Sequence, residues 1–80
     1  MALIYELMDV ESANLIGTYD SEGEALGIVR AAIATHGTSA MDGIALGYED
    51  EEGNGALIAE GTALVARAVA AERDSFPQTA

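Results

Sequence analysis

The sequence has no cysteine and no lysine, and it has a single histidine, His36. Without cysteine the chain cannot form a disulfide, a thiolate metal site or a cysteine nucleophile, and we expect a reducing cytoplasm as its compartment. One histidine excludes a site with two or more histidine ligands from one chain, and beside Gly37 it is typical of the last turn of a helix. The absence of lysine excludes the Gly-Lys-Ser/Thr phosphate-binding loop.

Long hydrophobic runs are also missing, since no apolar run approaches the roughly 20 residues that a membrane-spanning helix needs. Residues 1–6 carry no basic segment and already include an acidic residue, which is not the pattern of an export signal. A chain of 80 residues makes one domain that buries only about 60–65% of the surface its unfolded form exposes. We therefore predict a small cytoplasmic domain that gains stability by forming an oligomer.

Positive charge is scarce: fourteen Asp and Glu residues oppose three arginines, and the formal net charge is -11. Nucleic acids and anionic membranes are bound mainly through Lys and Arg, so direct binding to either is not expected. Two interpretations of the acidic surface stay open. The acids either keep a small, half-apolar protein in solution, or they contact a basic partner protein.

What the sequence does contain is a repeat, in which a strand, an acidic turn and a second strand precede an alanine-rich helix. The first copy spans about residues 3–37 and the second about residues 44–72. One such unit has too little apolar surface to fold alone, whereas two copies can share a core. Residues 1–74 are therefore predicted to form one α+β domain, and residues 75–80, which include Pro77, a flexible tail.

Alternating apolar residues predict two hairpins, the first pairing residues 3–10 with 15–19 and the second pairing residues 44–49 with 55–60. Each hairpin is followed by a predicted helix. The segment 38–43 shows no periodicity and is interpreted as the connector between the copies.

The first helix is predicted over residues 21–35, because Ser21 and Glu24 have the spacing of a capping box and apolar residues follow at helical intervals. We expect Arg30 to reach solvent from this helix. The second helix is predicted over residues 62–72. Its core-facing residues are predicted to be Leu64, Val65, Ala68 and Val69.

The elements together predict the order ββαββα, with a four-stranded, mainly antiparallel sheet and both helices on one of its faces. The other face would carry apolar side chains such as Ile4 and Met8 with nothing of its own to cover them. We therefore expect a homodimer formed through the open sheet face or through an edge strand.

No catalytic or cofactor-binding motif stands out. The turn of the second hairpin has Asp50, Glu52 and Asn54 at alternate positions, as at the start of a calcium-binding loop, but the required glutamate is replaced by Gly61. A solvated turn is therefore favoured, and we predict a non-enzymatic protein without metal or cofactor. The candidate partner-binding cluster consists of Glu49, Asp50, Glu51 and Glu52.

Two segments, 19–26 and 46–53, resemble small uncharacterised bacterial proteins that begin with a hairpin and enter a helix through a Ser/Thr-x-x-Glu-Ala element. This resemblance covers most of residues 3–61 and implies no activity. Residues 17–32 are more loosely similar to HicB-type antitoxins, whose partial ribonuclease-H-like domain also places a hairpin strand before a Glu-Ala helix. The chain lacks the antitoxins' Pro-Gly-Cys-type segment and their C-terminal DNA-binding module.

The leading functional prediction is a bacterial, cytoplasmic interaction or structural protein that works as a dimer. The alternative, for which the antitoxins offer an example, is an acidic inhibitor or nucleic-acid mimic that occupies the cationic groove of a basic protein. The two predictions differ in their response to salt. Apolar sheet packing should be insensitive to salt, whereas capture of a basic partner should weaken steeply as salt screens the charges.

Overall fold

The computed structural model of the protein describes residues 3–75. The predicted tail at residues 75–80 lies outside this range except for its first residue, which ends a helix. The strands and helices are β1 (Leu3–Asp9), β2 (Asn14–Tyr19), α1 (Glu22–His36), a 3-10 helix (Thr38–Met41), β3 (Ile44–Asp50), β4 (Gly55–Glu60) and α2 (Gly61–Ser75).

The two copies of the repeat have elements of equal length. Each contains a strand of 7 residues, a strand of 6 residues and a helix of 15 residues, in that order. The fold is α+β, and the predicted ββα duplication agrees with it. The 3-10 helix joins the copies in the segment that the sequence indicated only as a connector.

The sheet has four strands in the order β2-β1-β3-β4, and every neighbouring pair is antiparallel. The predicted antiparallel sheet is therefore confirmed, with β1 and β3 in its centre and β2 and β4 at its edges. In the central pair Leu7 lies opposite Leu46, and Tyr5 lies opposite Tyr48. This register connects the two copies of the repeat.

Both helices pack on the sheet face that carries Leu7 and Leu46, where they share one hydrophobic core with the strands. Two core positions on the helices, Ala25 and Ala68, are fully buried alanines, and such small side chains let a helix approach the sheet closely. The buried core consists of Leu7, Ala25, Leu26, Val29, Met41, Leu46, Ala59, Leu64 and Ala68.

Helix α1 begins and ends as its sequence predicts. The Ser21 hydroxyl accepts a hydrogen bond from the backbone N–H of Glu24 at 3.1 Å, which satisfies one of the free donors of the first turn. At the other end Gly37 has φ 88°, a left-handed conformation, and its N–H donates to the carbonyl oxygen of Ile33 at 2.7 Å.

One predicted side-chain position is wrong, and another is only partly right. Val69 is 45% exposed instead of facing the core, because the buried stripe of α2 runs through Leu64 and Ala68 and Val69 lies beside it. Arg30 is half-buried, and its Nη1 donates to the carbonyl oxygen of Ala68 at 3.4 Å. It lies on the flank of α1 against which α2 packs, so it reaches solvent only in part.

A second arginine also connects the helices, since Arg67 of α2 donates from Nε to the carboxylate of Glu22 at the start of α1. This hydrogen bond and the attraction to Glu22 raise the pKa of Arg67. The 3-10 helix adds Met41, which is 5% exposed and belongs to the core although its segment has no apolar periodicity.

A pair of glycine substitutions tests the fit of the second hairpin. A Cβ added at Gly55 would lie 2.2 Å from the backbone oxygen of Tyr48, so Gly55→Ala must displace backbone and should lower the free energy of unfolding by about 1–3 kcal/mol. Urea unfolding measures this change. The control is Gly23→Ala in α1, where the nearest atom, the Ser21 hydroxyl, is 4.0 Å away and stability should rise by up to about 1 kcal/mol. Equal losses in both variants would contradict the expectation.

Candidate interaction surface

The face of the sheet opposite the helices is called the open face. Its residues follow from the strand register, because side chains alternate between the two faces and Leu7 and Leu46 occupy the helix side. Met8 opposite Ala45 therefore lies on the open face, as does Glu6.

The open face carries large apolar side chains that no other part of the described structure covers. Each of them is between 36% and 59% exposed, which confirms that Ile4 and Met8 belong to an uncovered face. Contiguous exposed apolar patches mark interaction sites more often than ordinary surface. The side chains in question are Ile4, Met8, Val10, Leu15 and Leu57.

A shallow groove of about 250 Å³ runs across this face. Its concave shape follows from the sequence of β3, where Ala45 and Gly47 have little or no side chain between the longer side chains of neighbouring strands. Met8 and Leu57 lie on either side of these small residues, and Glu6 is its only acidic lining residue. The groove can therefore receive an apolar side chain from another surface.

A carboxyl pair lies beside the groove. Glu6 pairs with Gly47 and Ile4 pairs with Glu49, so Glu6 and Glu49 are diagonal neighbours on the open face. Desolvation by the surrounding face, then a hydrogen bond to Glu49 and the charge of Glu49, raise the pKa of Glu6 above its ordinary value. A proton on Glu6 would allow it to donate to the Glu49 carboxylate, so the folded chain holds the Glu6 proton more tightly than the unfolded chain does.

The structure places the residues of the predicted partner-binding cluster in different environments. Glu49 belongs to the open face with Glu6, whereas the Asp50 carboxylate accepts hydrogen bonds from the backbone N–H groups of Glu52 and Asn54 at 2.9 Å each. Asp50 therefore stabilises the hairpin turn, a role that Asp commonly has in such turns. Glu51 and Glu52 are exposed in the turn.

Glu6 was missed as a site residue because it is far from the acidic turn in sequence. A shallow depression of about 390 Å³ brings it together with that turn on the surface. Glu6 could have been found from its place on the open-face side of β1, combined with the pairing of β1 to β3. The residues that line this depression are Ile4, Glu6, Thr18, Glu49, Asp50 and Glu51.

No metal or catalytic centre accompanies these groups in the part of the chain that the structure describes. Among residues 3–75, no three His, Asp or Glu side chains are grouped so that they could hold a metal ion. Across residues 3–71, where side chains are described, no polar or charged residue is buried. The arrangement can provide apolar contacts and negative charge.

Another concavity, of about 210 Å³, lies on the helix side and contains His36. His36 is exposed at the end of α1, as its sequence context indicates, and the other residues around the concavity are apolar. They are Leu7, Ile16, Ile28, Val29, Ala32, Ala40, Met41 and Ile44.

Comparison with known proteins identifies no relative. No protein-family model matches the chain, and neither a curated protein nor a solved structure does. Within residues 3–75, neither helix is both long and apolar enough to cross a lipid bilayer. The functional argument therefore depends on the open face itself.

The raised pKa of Glu6 predicts how stability depends on pH. Because the folded state holds this proton more tightly than the unfolded state, Glu6 lowers stability at neutral pH, and that loss is recovered as the pH falls through the raised pKa towards the ordinary value of 4.5. Glu6→Gln should therefore be more stable than the wild type at neutral pH, with a difference that shrinks towards pH 4.5.

Urea unfolding at several pH values measures this difference. Glu11→Gln is the matched control, because it removes one exposed carboxyl from the turn between β1 and β2, outside the pair. An equal gain at neutral pH in both variants would show that net charge, and not the carboxyl pair, is responsible.

Proposed function

We propose that the protein is a non-enzymatic interaction module that works as a homodimer through its open face. The observation that carries the proposal is the set of large apolar side chains exposed around the groove, with Met8 and Leu57 beside its centre. Both helices pack on the other side of the sheet, so the chain's described elements leave this face uncovered. Covering it with a second copy would remove apolar surface from water in both chains.

The arrangement of the open face supports pairing between identical copies. Val10 and Leu15 lie towards one end of the strands and Glu49 lies towards the other. Suppose that the two copies pack face to face about a twofold axis that is parallel to the sheets and perpendicular to the strands. The strands of the second copy then run in the opposite direction. Glu49 of each copy would then lie over the end of the partner that carries Val10 and Leu15, so the two Glu49 carboxylates would not face each other.

Sedimentation equilibrium with one substitution on each side of the sheet tests the dimer. Leu57→Glu places a charge beside the groove and should yield monomers, whereas Val69→Glu adds the same charge on α2 and should leave the dimer intact. The wild-type dimer should persist from low to high salt, because apolar contacts are not screened.

Two results would contradict this proposal. One is a wild-type chain that stays monomeric at micromolar concentration under all salt and pH conditions. The other is equal dissociation of the dimer by both substitutions, since Val69 is remote from the open face.

A second candidate function is binding of a basic protein, as an acidic antitoxin-like inhibitor or nucleic-acid mimic would do. The specific observation in its favour is that Glu6 extends the acidic turn onto the open face, so that Glu49, Asp50 and Glu51 border the same depression. A cationic partner could contact carboxylates and apolar side chains there at once.

Binding of a fluorescent decalysine peptide, followed by anisotropy, tests this second function. We expect Glu49→Gln/Glu52→Gln to weaken binding by about tenfold, since two close charge contacts are lost, and the affinity of the wild type to fall steeply with salt. The control, Glu11→Gln/Glu24→Gln, removes the same charge elsewhere. Equal weakening in both variants would indicate unspecific attraction to net charge.

A further inference from the structure

We infer that self-association through the open face is coupled to proton uptake by the carboxyl pair Glu6 and Glu49, so that the dimer becomes stronger as the pH falls. The inference rests on the proposed dimer and adds a regulation to it. It starts from the position of the pair, which lies among the apolar side chains that a second copy would cover.

The strand register places the pair inside the apolar surface. Glu49 is directly opposite Ile4, and Glu6 is next to Gly47, which separates it from Leu57 on β4. A partner that covers Ile4 and Leu57 must therefore also cover the two carboxyl groups. A partner that is shifted to avoid them would leave part of the apolar surface in water.

Among the residues that the structure describes, the charged side chains around the pair are acidic. From β3 and its turn come Asp50 and Glu51, which border the same depression, and β4 places Glu60 on the open face at the opposite corner. On the other side β2 contributes Thr18, which is opposite Glu6 and uncharged.

No arginine side chain that the structure describes offers a counter-charge on this face. Arg30 donates to the carbonyl oxygen of Ala68, and Arg67 is paired with Glu22, so both are engaged among the helices on the other side of the sheet. A proton is therefore the remaining source of positive charge for the covered pair within these residues.

Covering the pair without a proton would place two carboxylates next to each other in a poorly hydrated interface, which is unfavourable. A proton on Glu6 removes one of the two charges and allows Glu6 to donate a hydrogen bond to Glu49. The pKa of Glu6 is raised even before the face is covered. Further desolvation acts in the same direction.

The sign of the linkage follows from this. Because the dimer would hold the proton on Glu6 more tightly than the monomer, the association constant rises as the pH falls through the pKa of Glu6 in the dimer, and it levels off below the already raised pKa of Glu6 in the monomer. Each proton taken up per dimer strengthens association by about tenfold per pH unit in that window, and the dimer contains a pair in each copy.

The test is sedimentation equilibrium of the full chain at about pH 7.5 and about pH 5.5, with salt high enough to screen net charge. The wild-type dissociation constant should fall by about tenfold or more between these values. Glu6→Gln/Glu49→Gln, which needs no proton to hydrogen-bond, should dimerise at both pH values with a change of less than about threefold. Glu11→Gln/Glu24→Gln makes the same charge change elsewhere and should keep the wild-type pH dependence.

The outcomes separate this inference from the proposed function. A wild-type dimer with the same dissociation constant at both pH values would overturn the inference and leave the dimer in place. A pH dependence that persists in Glu6→Gln/Glu49→Gln would overturn it as well, because other carboxylates would then be responsible. Monomers in the wild type and in the double variant at both pH values would overturn the proposed function itself.

Discussion

The antiparallel pairing of β1 with β3 joins the two copies of the repeat, and the remaining structure depends on this contact. A single hairpin with one helix buries too little surface to be stable. The pairing brings Leu7 opposite Leu46 in the centre of one face, where α1 and α2 can both cover them. The resulting core is shared by both copies, so neither copy has a hydrophobic core of its own.

The same pairing creates the open face. Side chains alternate along a strand, so a register that directs Leu7 and Leu46 to the helices necessarily directs Met8, Ala45 and Glu6 to the other side. The two helices cover one face of the four-stranded sheet, and the described residues leave the second face uncovered. The apolar side chains on that second face do not contribute to the shared core, which is the basis of the proposed dimer.

On the open face, covering the apolar side chains would also remove water from the acidic ones. A covered apolar surface excludes water, and the loss of hydration raises the free energy of any carboxylate that is buried with it. For this reason Glu6 and Glu49 bear on both proposed functions. In the proposed dimer a proton would offset their charge, and in the proposed complex with a basic protein a cation would do so.

Local sequence signals determined the hairpins, both helices and the ends of α1, because Ser21 and Gly37 act on backbone groups within a few residues of themselves. The tertiary structure alone decided the contacts between distant segments. Met41 is buried in a segment without periodicity, and Arg30 reaches α2 because the helices pack side by side. Glu6 meets Glu49 only through the β1–β3 register, since the pairing of strands from different hairpins is set by the shared core and not by any local pattern.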